Sequence, residues 1–128
     1  MTLPLADIKV ADFSQVLAGP FAGQLLGDLG AEVIKVEPPE GDSSRVQMPV
    51  PGANGSGVTF LTFNRNKRSL VLDITKPKGR EIAHVLARWA DVVVMNMRVG
   101  ARQRHGLTYE DLAAVNPRVI YVSITGYG

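Results

Sequence analysis

The first thirty-seven residues constrain the fold more than any other part of the chain. "IKVADF" (8–13) is a short apolar run that reads as a buried strand. Pro20 supplies a first-turn helix residue, since its missing N–H is not needed there. Ala22, Leu25, Leu26 and Leu29 then follow at i, i+3, i+4 and i+7 as the predicted apolar stripe. Gly30 is the natural stop, and "AEVIKVE" (31–37) is a second strand. A strand, a helix and a strand in this spacing predict parallel strands joined by a right-handed crossover.

The same alternation continues. After an irregular, proline-punctuated stretch from 38 to 57 that ends in "PGANGSG", a brief ordered segment is expected at "GVTFLTF". "SLVLDI" (69–74) is a third strand, followed at Pro77 by a helix whose predicted apolar face is Ile82, Val85, Leu86 and Trp89. "DVVVMN" (91–96) is apolar enough for a strand covered on both faces. A short turn or helix runs to Gly106, Thr108 caps "YEDLAAV", and "RVIYVSI" (118–124) is the last strand. The expected architecture is α/β: a Rossmann-like, mostly parallel sheet with flanking helices. About five strands share about three helices, too few to cover both faces. The expectation is therefore a fragment: residues 1–128 form part of one larger domain whose remaining layers come from other sequence. Ligands of such sheets gather at the carboxyl ends of the strands.

Charge is distributed unevenly along the chain. Residues 1–42 carry two basic and seven acidic groups, whereas the remainder carries twelve basic and five acidic ones. The basic groups concentrate in "NRNKRS", "KPKGR" and "MRVGARQRHG", which would suit an anionic ligand if they converge and would otherwise be a solvated surface. The chain has no cysteine, which excludes disulfides and thiolate chemistry and agrees with a reducing compartment. No run is long enough to cross a bilayer and no signal peptide is visible, so a soluble cytoplasmic protein is expected, without membrane contact.

Motifs exclude several chemistries. The first turn holds Gly19-Pro-Phe-Ala-Gly23 and not G-x-G-x-x-G, although Glu37 stands where a ribose-binding acid would. There is no P-loop, no G-x-S-x-G elbow and no metal-ligand spacing of the two histidines, so no metal is expected. His84 reads as a helix residue. His105, between Arg104 and Gly106, is the better ligand candidate. Glu40 and Asp42 read as residues of a solvated loop. Asn64 and Asn66 suit either turn chemistry or phosphate contact. Few aromatics interleave with the basic residues, so no nucleic-acid partner is expected.

"VLAGPFAGQLLGDLGAEVIKVEPPEGDSSR", "FNRNKRSLVLDITKPKGREI" and "ADVVVMNMRVGARQRHGLTYEDLAAVNPRVIYVSITGYG" together resemble the class III CoA-transferase family, also called CaiB/BaiF. The resemblance implies an enzyme of acyl-CoA metabolism that moves coenzyme A from an acyl-CoA to a small carboxylic acid, working as an interlocked homodimer. An aspartate attacks the thioester to form an anhydride that CoA thiolate then opens. That nucleophile is expected beyond Gly128, so by the resemblance residues 1–128 are the N-terminal part of the family's large Rossmann-like domain and the chain alone would be inactive. The α-methylacyl-CoA racemases share the fold, but "GVTFLTFNRNKRS" is more similar to transferases. A noncatalytic CoA-binding fragment is the remaining alternative.

By the same resemblance, Gln15, Val16, Leu17 and Ala18 line the thioester and pantetheine end of CoA, with exposed backbone groups offering hydrogen bonds. Leu72 lies beside the adenine, Asn96 and Met97 cradle pantetheine and nucleotide, and Arg104 and His105 meet the phosphates. Three positions depart from the family. Pro38 replaces an arginine, Thr75 a lysine for which Lys76 can substitute, and Val99 the proline of an R-P-G turn.

Overall fold

A computed structural model describes residues 2–54 and 56–127. Its five strands are β1 (Lys9–Asp12), β2 (Glu32–Glu37), β3 (Lys67–Val71), β4 (Val92–Met95) and β5 (Ile120–Ser123). The helices are α1 (Ala18–Asp28), α2 (Val58–Phe63), α3 (Pro77–Trp89), α4 (Val99–His105) and α5 (Tyr109–Val115), with a 3-10 turn at Ser43–Val46. All strand pairs are parallel, in the order β3-β2-β1-β4-β5. The expected α/β sheet is present, and its order reverses between β1 and β4. That reversal opens a crevice at the carboxyl ends of those two strands.

Period-two alternation divides the core. Val10, Val33 and Val94 face α1, together with Ala31 and Leu26. Ala11, Val93 and Met95 face the other way, onto Ala83, Leu86 and Ala87 of α3 and Leu112 of α5. Thr108 caps α5 as expected, in a reciprocal box with Asp111.

Both predicted helix stripes need correction. In α1 the buried residues are Gly19, Pro20, Gly23, Gln24 and Gly27, and of the predicted stripe Leu26 packs on the core whereas Leu25 and Leu29 are each 46% exposed. The small residues let the helix come close: a Cβ at Gly23 would lie 2.8 Å from Asp12 Oδ2. In α3, Ala83, Leu86 and Ala87 are buried, while Ile82 and Val85 are exposed and Trp89 is partly covered. The third strand also starts earlier than predicted. Its register with β2 runs from Val33↔Lys67 to Glu37↔Val71, so Leu72–Ile74 already belong to the turn. The stretch from 38 to 57 is less irregular than its composition suggests, because it contains the 3-10 turn and a bridge between Pro49 and Gly57.

Candidate functional site

The crevice is built on the turn between β1 and α1, where three consecutive residues are tied to three different places. The Ser14 carbonyl accepts from Lys35 Nζ at 2.8 Å, and the Ser14 N–H and hydroxyl both donate to Asp12 Oδ1. The Gln15 N–H donates to Asn96 Oδ1 at 3.0 Å, while Asn96 Nδ2 returns a bond to the Gln15 carbonyl at 2.7 Å. The Val16 N–H points between the two oxygens of Asp42, at 3.2 and 3.3 Å. Asn96 follows β4 directly, so its side chain staples the two strand ends that flank the crevice.

Beneath the turn lies a buried ionic layer. Lys35 Nζ is 2.8 Å from Asp42 Oδ2, and Lys67 Nζ is 2.8 Å from Asp12 Oδ2, with all four side chains 2% exposed or less. Lys67 also donates to the Pro20 carbonyl and Asn64 Oδ1. Burial pushes the Lys67 ammonium below its usual range, although Asp12 opposes this. Burial pushes the Asp42 carboxyl up, but Lys35 and the Ser44 donors outweigh it and hold the group below the usual carboxylate range. Glu37 is likewise held low against burial by Arg45, Ser69 and the Asp42 N–H. Both groups have depressed folded-state values, so the stability they add is present above the unfolded carboxylate range and lost as pH falls through the folded one. Thermal unfolding followed across pH should therefore show a plateau from neutral down to about pH 5 and a fall in Tm below about pH 4.

Three concavities run along this edge. One, of about 300 Å³, is lined by Phe13, Gln15, Val16, Asn96, Met97 and Arg98. A small one, about 40 Å³, shares Phe13, Gln15 and Met97 and extends to Val36, Leu72 and Ile74. A third, about 490 Å³, shares Asn96, Met97 and Arg98 and reaches Ile124 and Tyr127. Of the residues predicted for the site, Gln15, Val16, Leu72, Asn96 and Met97 thus line one continuous groove. Leu17 and Ala18 lie exposed at its lip, at the start of α1. The exposed backbone groups expected at this turn are corrected in part, because the N–H groups of Gln15 and Val16 are engaged internally.

The basic residues are distributed differently. Lys76 caps α3 and Arg104 and His105 occupy the last turn of α4. The two turns face each other: Arg80 donates to the Arg104 carbonyl at 3.4 Å. Asp73 is held below its ordinary value first by the Thr75 hydroxyl and N–H, and then by the positive charges of Lys76 and His105. The Arg104 guanidinium folds back over the first turn of α4, 3.4 Å from where a Gly100 Cβ would stand. None of Lys76, Arg104 and His105 lines these cavities; they follow the lining residues Leu72, Ile74 and Arg98 in the chain. The "NRNKRS" cluster takes no part in this basic rim: Arg65 pairs with Asp28, Lys67 with Asp12 and Arg68 with Glu32. Much of the charge polarity along the chain is thereby neutralised within the fold.

Three further expectations are decided by these bonds. Asp42 is 1% exposed, so the solvated-loop reading is wrong for it, although Glu40 is exposed. Glu37 is closed to a ribose, since Arg45 takes both of its oxygens and Ser69 takes one again. Asn64 and Asn66 serve turn chemistry: Asn64 bonds the Phe60 carbonyl, and Asn66, at φ 61°, donates to Asp28. Sequence reasoning missed Asp12, Lys35 and Asp42 as the support of the turn between β1 and α1.

A family description, CoA-transferase family III, matches residues 5–128. The chain belongs to that family. It is 46% identical to the succinate–glutarate CoA-transferase of Agrobacterium fabrum over 98% of its own length and 33% of that protein's. It is 48% identical to the human succinyl-CoA:glutarate CoA-transferase, over 98% and 28% of the two lengths. A crystal structure of a CAIB/BAIF family protein from Brucella suis superimposes with a TM-score of 0.91 at 45% identity, covering the whole of this chain and 35% of that one. The chain spans about a third of the length of the relatives it matches. Membership of CoA-transferase family III agrees with the all-parallel α/β sheet. Among the described residues, no helix is long and apolar enough to cross a membrane, and no group of three or more acidic or histidine side chains could hold a metal.

Proposed function

We propose that this sequence is the N-terminal part of the large domain of a CoA-transferase that moves CoA from an acyl-CoA to a small carboxylic acid. The supporting observation is the arrangement at the crevice: Gln15 and Asn96 interlock the ends of β1 and β4, the groove extends along the strand ends to Leu72, and the segment that follows Leu72 meets the basic end of α4. A long carrier with an apolar arm and a phosphorylated end matches that sequence of surfaces. Its thioester end lies against Gln15–Ala18, its pantetheine along Asn96 and Met97, its adenine by Leu72, and its phosphates at Lys76, Arg104 and His105. The two relatives that contribute most to this reading are named for glutarate, which is a dicarboxylic acid. The carboxylate nucleophile belongs to sequence following this segment. We place the protein in the cytoplasm and in a homodimer; the exposed Phe21 and Leu25 of α1 and Leu29 at its end are apolar surface for another chain segment to cover.

Calorimetric titration of the full natural polypeptide with free CoA tests this reading. Arg104→Ala is expected to weaken binding roughly 10- to 100-fold, the range for losing a hydrogen bond to a charged group. Raising salt should weaken the wild type more than the variant, because less phosphate charge is then being neutralised by the protein. Equal affinities of the two proteins at low salt would refute the phosphate assignment.

A further inference from the structure

The groove has a supporting side chain that never reaches it. Val16 carries φ 70°, a left-handed conformation that is unfavourable for a β-branched residue. Its side chain is 40% exposed on the groove wall, so packing does not enforce that conformation. The grip comes from the other side. Asp42 is fully buried, anchored on Lys35 at 2.8 Å, and accepts from the Ser44 N–H and hydroxyl at 2.9 and 2.7 Å. Both of its oxygens also face the Val16 N–H. Asn96 and Asp42 hold the two ends of one peptide, Asn96 through the Gln15 carbonyl and Asp42 through the Val16 N–H, and the helix dictates the backbone after Leu17. The Val16 peptide is the one point where the turn must bend against its own preference.

We infer that Asp42 is a positioning residue for the ligand turn: through the Val16 N–H it holds the left-handed bend that presents Val16, Leu17 and the start of α1 to the groove. The inference rests on the CoA reading for its ligand but not for its geometry. Without the carboxylate, Val16 relaxes toward negative φ, and the peptide plane beyond it rotates. The lip of the groove then moves while the sheet beneath keeps its register. Lys35 is the anchor of the device, and its second bond, to the Ser14 carbonyl, ties the anchor to the same turn.

The test uses Asp42→Asn in the full natural polypeptide, with free CoA as the probe and amide hydrogen exchange as a second readout. The variant is expected to raise the Kd for CoA at least about fivefold and to lose protection at the Val16 amide. Ser44→Ala removes another of Asp42's partners without touching Val16. It should lower Tm yet keep both the CoA affinity, to within about twofold, and the Val16 protection. A variant that loses Val16 protection but binds CoA as the wild type does overturns the inference, as does an equal loss of affinity in Ser44→Ala. Should Asp42→Asn fail to fold, Asp42→Glu keeps the charge on Lys35 while displacing the oxygens from Val16, and is held to the same two readouts. If the wild type itself binds no CoA, the functional reading fails. Retained Val16 protection in Asp42→Asn would then separately refute the positioning role.

Discussion

Lys35→Met is expected to destabilise the chain by about 3–5 kcal/mol, the usual result of removing one partner from a buried ion pair. Lys35 stands in the middle of β2, 1% exposed, with its ammonium on Asp42 and on the Ser14 carbonyl. Methionine fills much of the same volume and supplies no donor. It leaves a buried carboxylate and a buried carbonyl unmatched. Replacing a whole buried ion pair by apolar residues is often nearly neutral, but that remedy is closed here. Asp42 also accepts from the N–H groups of Val16 and Ser44, so Lys35→Met combined with Asp42→Leu would orphan two backbone donors. The double variant should be no more stable than Lys35→Met alone. Urea unfolding followed by circular dichroism measures both. Since whole domains are stable by only about 5–15 kcal/mol, a loss below about 1 kcal/mol would mean that the ion pair contributes little.

This layer also explains what was legible in the sequence and what was not. The strand, helix and strand of the opening segment were readable because Pro20 and Gly30 bracket a helix between two apolar runs, and these are local signals. The inward face of α1 was not. Its leucines follow a helical period, but the side turned to the sheet is the period of Gly19, Gly23 and Gly27. Gly23 makes room for the Asp12 and Lys67 side chains, Gly19 for Ser14, and Gly27 for Asn66 and Val33. Along β1 and β2, the positions that continue the alternation from Val10 and Val33 are Asp12, Lys35 and Glu37. Charged residues at inward-facing strand positions were the available signal, and it went unread because the partners are remote. Asp12 and Lys67 lie 55 residues apart. The proposed ligand residues rest on resemblance, and the structure gathers Gln15, Val16, Leu72, Asn96 and Met97 around one groove because the sheet order reverses between β1 and β4. No periodicity carries that reversal.

Gly79→Ala is expected to be comparably severe, by sterics and not by charge. Gly79 lies in the first turn of α3, where a Cβ would stand 1.9 Å from the Asp73 carbonyl oxygen and 2.6 Å from its carbon. Both obstacles are backbone, so no side-chain rotation relieves the clash. The obstructing peptide belongs to a turn with its own fixed bonds: Asp73 Oδ1 accepts from the Thr75 N–H and hydroxyl, the Lys76 N–H donates to the Asp73 carbonyl, and the Leu72 N–H donates to the Glu37 carbonyl. Relief requires either the turn or the helix to move as a unit. The expected loss is about 3 kcal/mol, the upper end for overpacking, read as a fall in the urea midpoint. A second consequence separates this from a general loss of stability. Leu72 and Lys76 flank the displaced peptide, one in the groove and one in the basic rim. Under conditions where the variant is still folded, CoA binding should weaken because the wall by Leu72 and the cation at Lys76 no longer hold their spacing. Folded Gly79→Ala with unchanged CoA affinity would show that the turn between β3 and α3 does not shape the ligand site.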